Sequence, residues 1–225
     1  MAEPAIEESL RAAESAVASG EGLSGTGFWQ AVATVKGQPE LVDRYSDRIA
    51  AIDTAAHRNW AILVLPLRLG TTIALLVVLA GLVLVAWAYF LEGTAAVVSF
   101  LAGAGILIGA THGLGHLVVG RLLGIRFDYW FVGEIRRPQP GLKVDYVSYL
   151  RATPRRRAWM HAAGALTTKV MPFLLIGAAV AAGLPPWVSW ALAGLGVVMI
   201  LLDVFWSSKA SDWKKFKREL EFAQS

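Results

Sequence analysis

Four ionisable side chains stand inside otherwise apolar stretches of the chain: His112, His116, Lys169 and Asp203. A charged group at the centre of a bilayer costs roughly 2.5 to 3.5 kcal/mol on insertion scales, so such residues face a bundle interior and mark function. The histidines belong to Thr-His-Gly-Leu-Gly-His, residues 111–116. A spacing of four places both imidazoles on one helical face, as a zinc pair requires. A third ligand has to come from another helix at the same depth, and a rise of about 1.5 Å per residue allows depth to be estimated. His116 lies five residues before Arg121, roughly 7.5 Å inside the boundary, and Asp203 lies six before Lys209, roughly 9 Å. The two are level. The spacing therefore predicts one zinc ion held by His112, His116 and Asp203. Its fourth position is left open, which is a catalytic rather than a structural arrangement. The chain has no cysteine, which excludes thiolate sites and disulfides.

The same residues admit plainer roles. Two histidines one turn apart also serve as hydrogen-bonding groups between membrane helices. Asp203 is equally placed to pair with Lys169 inside the bundle. Lys169, twelve residues past Arg157 and roughly 18 Å deep, can supply positive charge to a developing oxyanion. Gly113 continues a row with Gly105 and Gly109, a small-residue stripe that lets helices approach closely. Taken together, His112, His116, Asp203 and Lys169 would also suit a small transporter using a proton or ion relay. His161 lies at the membrane boundary and reads as interfacial, and His57, outside the apolar stretches, as solvated.

The elements that must position these groups are legible from composition. Apolar residues make up 56% of the chain and charged ones 17%, and the charges cluster in the first third, one middle loop and the tail. Four stretches, Leu69 to Leu91, Ala95 to about Val119, Trp159 to Ala182 and Trp187 to Trp206, reach the ~20 residues that a membrane helix needs. The connections Glu92 to Thr94 and Gly183 to Pro186 carry no Lys or Arg. The loop between the second and third stretches and the tail are rich in both, so the positive-inside rule puts them in the cytoplasm. Met1 is followed by an acidic stretch rather than a signal peptide, which keeps the start cytoplasmic too. Clustered basic residues are explained by topology, and no nucleic-acid partner is implied.

The expected fold is an all-α integral membrane protein of the cell membrane, multi-pass, with both termini cytoplasmic and the lipid bilayer as partner. Residues 1–65 form a cytoplasmic region of amphipathic helices (5–18 and 39–60) with a flexible linker at Gly20–Gly27. Residues 66–206 form a four-helix transmembrane domain whose central basic loop spans 124–157, and 207–225 form a basic tail. Phe127 to Val132 has strand-like composition and is followed by turn-rich Arg137–Gly141, which predicts a short β-hairpin. Trp60, Trp87, Trp159, Trp187 and Trp206 fall near span ends, as an interfacial belt requires, and Pro172 lies inside the third span.

Several segments resemble the site-2 protease family of intramembrane zinc metalloproteases. Thr111 to Ile125 (THGLGHLVVGRLLGI) is similar to its HExxH segment, Arg155 to Lys169 (RRRAWMHAAGALTTK) to its AAGPLxN segment, Leu201 to Ser207 (LLDVFWS) to the segment of its aspartate ligand, and Ser211 to Phe216 (SDWKKF) to a tail seen in compact members. The resemblance implies zinc on His112, His116 and Asp203, strands in the central loop that clamp substrate, and a transmembrane protein or peptide as substrate or client. The departures bear on chemistry. Gly113 occupies the position of the family's general-base Glu, Ala165 replaces its Pro, and Thr168 stands at its Asn. Loss of a general base costs about 10²- to 10⁴-fold, so hydrolysis is expected to be impaired or absent while the metal ligands survive. A pseudoprotease that binds clients without cutting them is the corresponding alternative.

Overall fold

The structure is a computed structural model and describes residues 2–134, 139–206 and 211–223. In chain order it contains α1 (Glu3–Ala18), α2 (Phe28–Lys36), α3 (Pro39–Trp60), β1 (Leu63–Pro66), α4 (Leu67–Trp87) with a 3₁₀ turn at Ala88–Phe90, and α5 (Gly93–Leu122). There follow β2 (Phe127–Val132), β3 (Pro140–Val144), α6 (Tyr146–Arg151), α7 (Pro154–Ala181), α8 (Pro186–Phe205) and α9 (Asp212–Glu221). These elements fall into two compact units.

One unit comprises Met1–Leu67, Gly120–Arg157 and Glu219–Ser225. Its core is the apolar face shared by α1, α2 and α3: Ile6, Leu10, Phe28, Val35, Tyr45 and Ile49 are all buried, with Leu150 of α6 completing the cluster. The amphipathic spacing expected over 5–18 and 39–60 accounts for α1 and α3, and α2 is an addition. The Gly20–Gly27 segment, expected to be a flexible linker, is a built turn. Gly27 has φ of 78° and caps α2, Leu23 packs on the core, and Thr26 Oγ1 donates to the Leu23 carbonyl (2.9 Å). A side chain at Gly27 would be strained in that left-handed conformation and would also meet Ser9 Oγ at 2.7 Å.

The expected hairpin is present as part of a three-stranded antiparallel sheet in the order β1-β2-β3. Leu63 pairs with Val132 and Pro66 with Tyr129, while Phe127 pairs with Val144 and Val132 with Pro140. Of the turn expected at Arg137–Gly141, Arg137 and Pro138 lie outside the described residues, as does Lys209, while Pro140 and Gly141 begin β3. Gly141 lies beneath the Phe131 ring, whose Cζ a Cβ there would meet at 2.3 Å. His57 is not solvated as expected. It is half-buried, its ring centroid is 4.3 Å from that of Phe131, and its Nδ1 lies 3.2 Å from the Tyr129 hydroxyl. Burial and the nearby Lys143 push it down to about 4. Asp145 caps α6 by accepting from the Val147 amide and pairs with Arg126 at 2.8 Å.

Glu219 is fully buried in this unit and is satisfied on both oxygens. Lys36 Nζ donates to Oε1 at 2.5 Å, the Tyr149 hydroxyl to the same oxygen at 2.8 Å, and Arg157 Nε to Oε2 at 2.6 Å. Arg157 Nη1 also donates to the carbonyls of Ala152 and Leu150. Burial pushes the Glu219 carboxyl upward, but Lys36 and Arg157 outweigh it and hold it below its usual value.

The other unit comprises Arg68–Val119 and Ala158–Arg218. Four helices of the chain are long and apolar enough to cross a membrane, Leu67–Phe90, Gly93–Leu122, Pro154–Ala181 and Pro186–Phe205, which marks a multi-pass membrane protein. Only 17% of the most apolar window of the first and fourth is buried, against 33% for the second and third. Leu75, Leu76, Leu79, Leu82 and Val83 face outward, and so do the belt residues Trp87, Trp159, Trp187 and Trp206. Such a surface requires hydrocarbon around it.

Inside this unit Phe100, Leu107, Leu175, Val188 and Leu192 form the core. Glycine permits the closest helix approaches, but not at Gly105 or Gly109 of the row expected from spacing. A Cβ at Gly105 or Gly109 would meet nothing within 4 Å. At Gly103 it would lie 2.6 Å from the Gly81 carbonyl, and at Gly115 it would lie 2.5 Å from Thr167 Oγ1. The intimate crossings are thus α4 on α5 at Gly81/Gly103 and α5 on α7 at Gly115.

Removing the Glu219 carboxylate takes the counter-charge from buried Arg157, and breaking such a pair typically costs about 3–5 kcal/mol. Glu219→Ala is expected to lower unfolding stability of the full chain by that order. Since the folded carboxyl sits below its ordinary 4.5, its contribution is present above that pH and fades on acidification. Denaturant titrations of both forms from pH 7 to 3 check this: the gap between them should narrow below about pH 4.5.

Candidate metal centre

His112 and His116 lie one turn apart on α5 with their rings nearly perpendicular, 86°, and their centroids 4.8 Å apart. Each ring is fixed by α7 through its Nδ1. His116 Nδ1 lies 2.7 Å from the Met160 carbonyl, which can only accept, so this nitrogen carries the proton. His112 Nδ1 lies 2.9 Å from Thr168 Oγ1, and the Thr168 hydroxyl spends its own proton on the Gly164 carbonyl at 2.9 Å. The hydroxyl oxygen therefore accepts, and His112 is protonated at Nδ1 as well. The pairing of His116 with Met160 and of His112 with Thr168 shows α5 and α7 running antiparallel here.

Both Nε2 atoms then turn to one carboxylate oxygen. Asp212 Oδ2 is 3.2 Å from His112 Nε2 and 3.1 Å from His116 Nε2. In the neutral tautomers fixed by Met160 and Thr168, two nitrogen lone pairs and an anionic oxygen converge on the same space. A cation placed among them, or a further proton on one Nε2, turns that convergence into attraction. Separations near 3.1–3.2 Å suit ligands sharing one tetrahedral ion with bonds of about 2.0–2.2 Å. The three donors lie within 4.8 Å of one another, and among the described residues this is the group able to hold a metal ion. Each ring nitrogen not aimed at the site is hydrogen-bonded, as is usual for metal-ligating histidines. Lys215 Nζ lies 3.3 Å from the other oxygen of Asp212.

Two glycines make this geometry sterically feasible. A Cβ at Gly164 would sit 2.2 Å from His116 Nε2, so the ring occupies the space a side chain would fill. Gly115, between the two histidines, lets Thr167 and the Ala163 carbonyl come close.

The structure thus brings together two of the three ligands expected from spacing. Asp203, expected as the third, is engaged elsewhere: Lys169 Nζ lies 2.6 Å from its Oδ2. Lys169 also donates to the Ala165 carbonyl at 3.3 Å, so its ammonium is committed to this pair rather than standing free for an oxyanion. Gly113 is on α5, half-buried, and offers no side chain. His161 lies half-buried on α7 and outside the donor group. The residues missed by spacing are Asp212, Thr168 as the partner of a ligand, and the Met160 carbonyl. The signal for Asp212 was its place in Ser211–Phe216, itself one of the four segments that carry the resemblance.

Thr168→Val removes the acceptor that fixes His112, and such partners typically support metal affinity by 10- to 100-fold. Chelator competition should show divalent-metal affinity lowered within that range, with Thr168→Ser restoring it. Gly164→Ala, which displaces the His116 ring, should lower affinity at least as much.

No protein-family model, curated protein or solved structure matches this chain, so the reading of the site rests on its own geometry.

Proposed function

We propose that the chain is a membrane-embedded zinc protein with a site-2-protease-like centre on His112, His116 and Asp212, one that engages transmembrane segments of other proteins and hydrolyses them feebly or not at all. The observation that carries this reading is the convergence of two Nδ1-protonated imidazoles and one carboxylate, 3.1 and 3.2 Å apart, on a single cation-sized space. Two histidines and a carboxylate with a fourth position left open form a donor set used by catalytic zinc.

A bound ion there would supply Lewis acidity toward a carbonyl or water. The chain itself supplies orientation: Met160 and Thr168 hold the rings, and Lys215 holds the second oxygen of Asp212. At the position next to His112, where a proton acceptor would complete a peptidase, Gly113 offers none. The expected loss is about 10²- to 10⁴-fold in rate without loss of the ion. The lysine-free connections after α4 and α7 support an orientation with both termini and the 124–157 loop in the cytoplasm.

Elemental analysis of the purified chain should find about one zinc per chain, lost in His112→Ala, His116→Ala and Asp212→Ala and kept in Asp203→Ala. Loss in Asp203→Ala at unchanged fold would return that residue to the site. With transmembrane peptides in reconstituted bilayers, Gly113→Glu should gain chelator-sensitive cleavage over the parent. Robust cutting by the parent would show that another group acts as the base.

Orientation is tested separately, because the chain has no native cysteine. Single cysteines at the exposed positions Thr94 and Gly183 should react with an impermeant thiol reagent added to intact cells. Reaction only after permeabilisation would invert the topology.

A further inference from the structure

The short helix α9 carries two features that the metal centre alone does not use. Trp213 and Phe216 stack with centroids 5.1 Å apart and planes 22° apart, and Phe216 meets Trp159 edge-on at 5.6 Å. Trp159 is 52% exposed and lies in the second turn of the span Pro154–Ala181, at the level where aromatic belts meet the headgroups. The aromatic side of α9 is thereby tied to the end of a membrane helix. Lys214, Lys217 and Arg218 recur at helical spacing and are all exposed. Among the described residues none of the three forms an ion pair, whereas Lys215, between them, turns to Asp212. A helix whose aromatic row is bordered by exposed cations that form no ion pair among the described residues has the form of a segment lying in a membrane interface.

We infer that α9 docks on anionic phospholipid headgroups, and that this docking holds Asp212 opposite His112 and His116. Charge complementarity selects the occupant: three adjacent cations beside an aromatic row at a span end meet phosphate headgroups first. Each basic residue near such a surface favours binding by about five-fold, so the three together favour it on the order of a hundred-fold. Asp212 begins α9, so ordering the helix orders the third donor. This second step rests on the proposed metal site, whereas the docking does not.

The test uses the full chain in lipid nanodiscs of phosphatidylcholine alone or with about a third phosphatidylglycerol. A nitroxide on Ala223→Cys, an exposed position just past α9, reports proximity to nickel-chelating headgroups by its relaxation. Relaxation at least three-fold greater in the anionic discs is expected, and it should be abolished by K214E/K217E/R218E or by 0.5 M salt. If the glutamate variant fails to fold, K214Q/K217Q/R218Q replaces it. Equal relaxation in both lipids, or a gain that survives the triple substitution, overturns the docking. In parallel, zinc affinity by chelator competition should be at least ten-fold tighter in the anionic discs, and equal in both for the triple variant. A docking signal with unchanged zinc affinity overturns the coupling to Asp212. Absence of zinc binding in both lipids overturns the metal reading itself and leaves the relaxation result to decide the docking.

Discussion

The approach of α5 to α7 decides what the histidines can do. An imidazole one turn from another on a membrane helix has several rotamers and two tautomers, and a metal centre tolerates one combination. Here the selection is made by α7: a carbonyl at Met160 and a hydroxyl at Thr168, two helical turns apart, each take an Nδ1 proton. That is possible only because the helices come within reach, and they do so over Gly115 and Gly164, where a single methyl would collide with Thr167 or with the His116 ring. The chemistry of the centre is therefore a consequence of packing. The hydroxyl of Thr168 also illustrates economy of donors, since donating to the Gly164 carbonyl leaves its oxygen free to accept from His112.

The membrane elements were legible because lipid imposes a simple rule: a span must be apolar on its outer face for about 20 residues. The four apolar stretches, the belt tryptophans and the β2 segment at Phe127–Val132 all follow from local composition. What composition could not show was pairing. Leu63–Pro66 lies between the amphipathic helix expected over 39–60 and the first stretch expected from Leu69, and only its partnership with Phe127–Val132 makes it a strand. Likewise α6 has six residues, and its capping by Asp145 is visible only once the chain is folded. Two members of the glycine row, Gly105 and Gly109, do not serve packing for a related reason. Gly105 and Gly109 have the right spacing but face open space, while Gly103 and Gly115 meet neighbours that spacing cannot reveal.

The choice of carboxylate shows where depth arithmetic ends. Counting residues from a boundary places a group correctly only while the helix continues, and it favoured Asp203 because that residue is within the fourth span. Asp212 lies beyond the end of α8 at the start of α9, where a count along α8 assigns no depth. Electrostatics separates the two. A carboxylate inside a span requires a counter-charge, and Lys169 satisfies Asp203 directly. Asp212 has Lys215 on one oxygen only, and its other oxygen faces two nitrogens whose protons are on the far side of their rings.

On the proposed reading, binding a metal and using it are separable properties of this chain. The first needs three donors aimed at one point, and packing around Gly115 and Gly164 supplies the aim. The second needs a group that accepts a proton beside that point. In an HExxH segment the acceptor is carried by the residue next to the first histidine, so it shares the helix's rigidity and costs no additional ordering. With Gly113 in that place, any substitute must be brought by another segment and held there against its own conformational freedom. Two carboxylates of the membrane unit are already committed: Asp203 to Lys169, and Asp212 to the histidines. On that reading, a chain built this way keeps the three donors that would hold a metal while lacking the one group that would make peptide hydrolysis fast, and that asymmetry would favour engagement of membrane segments over their cleavage.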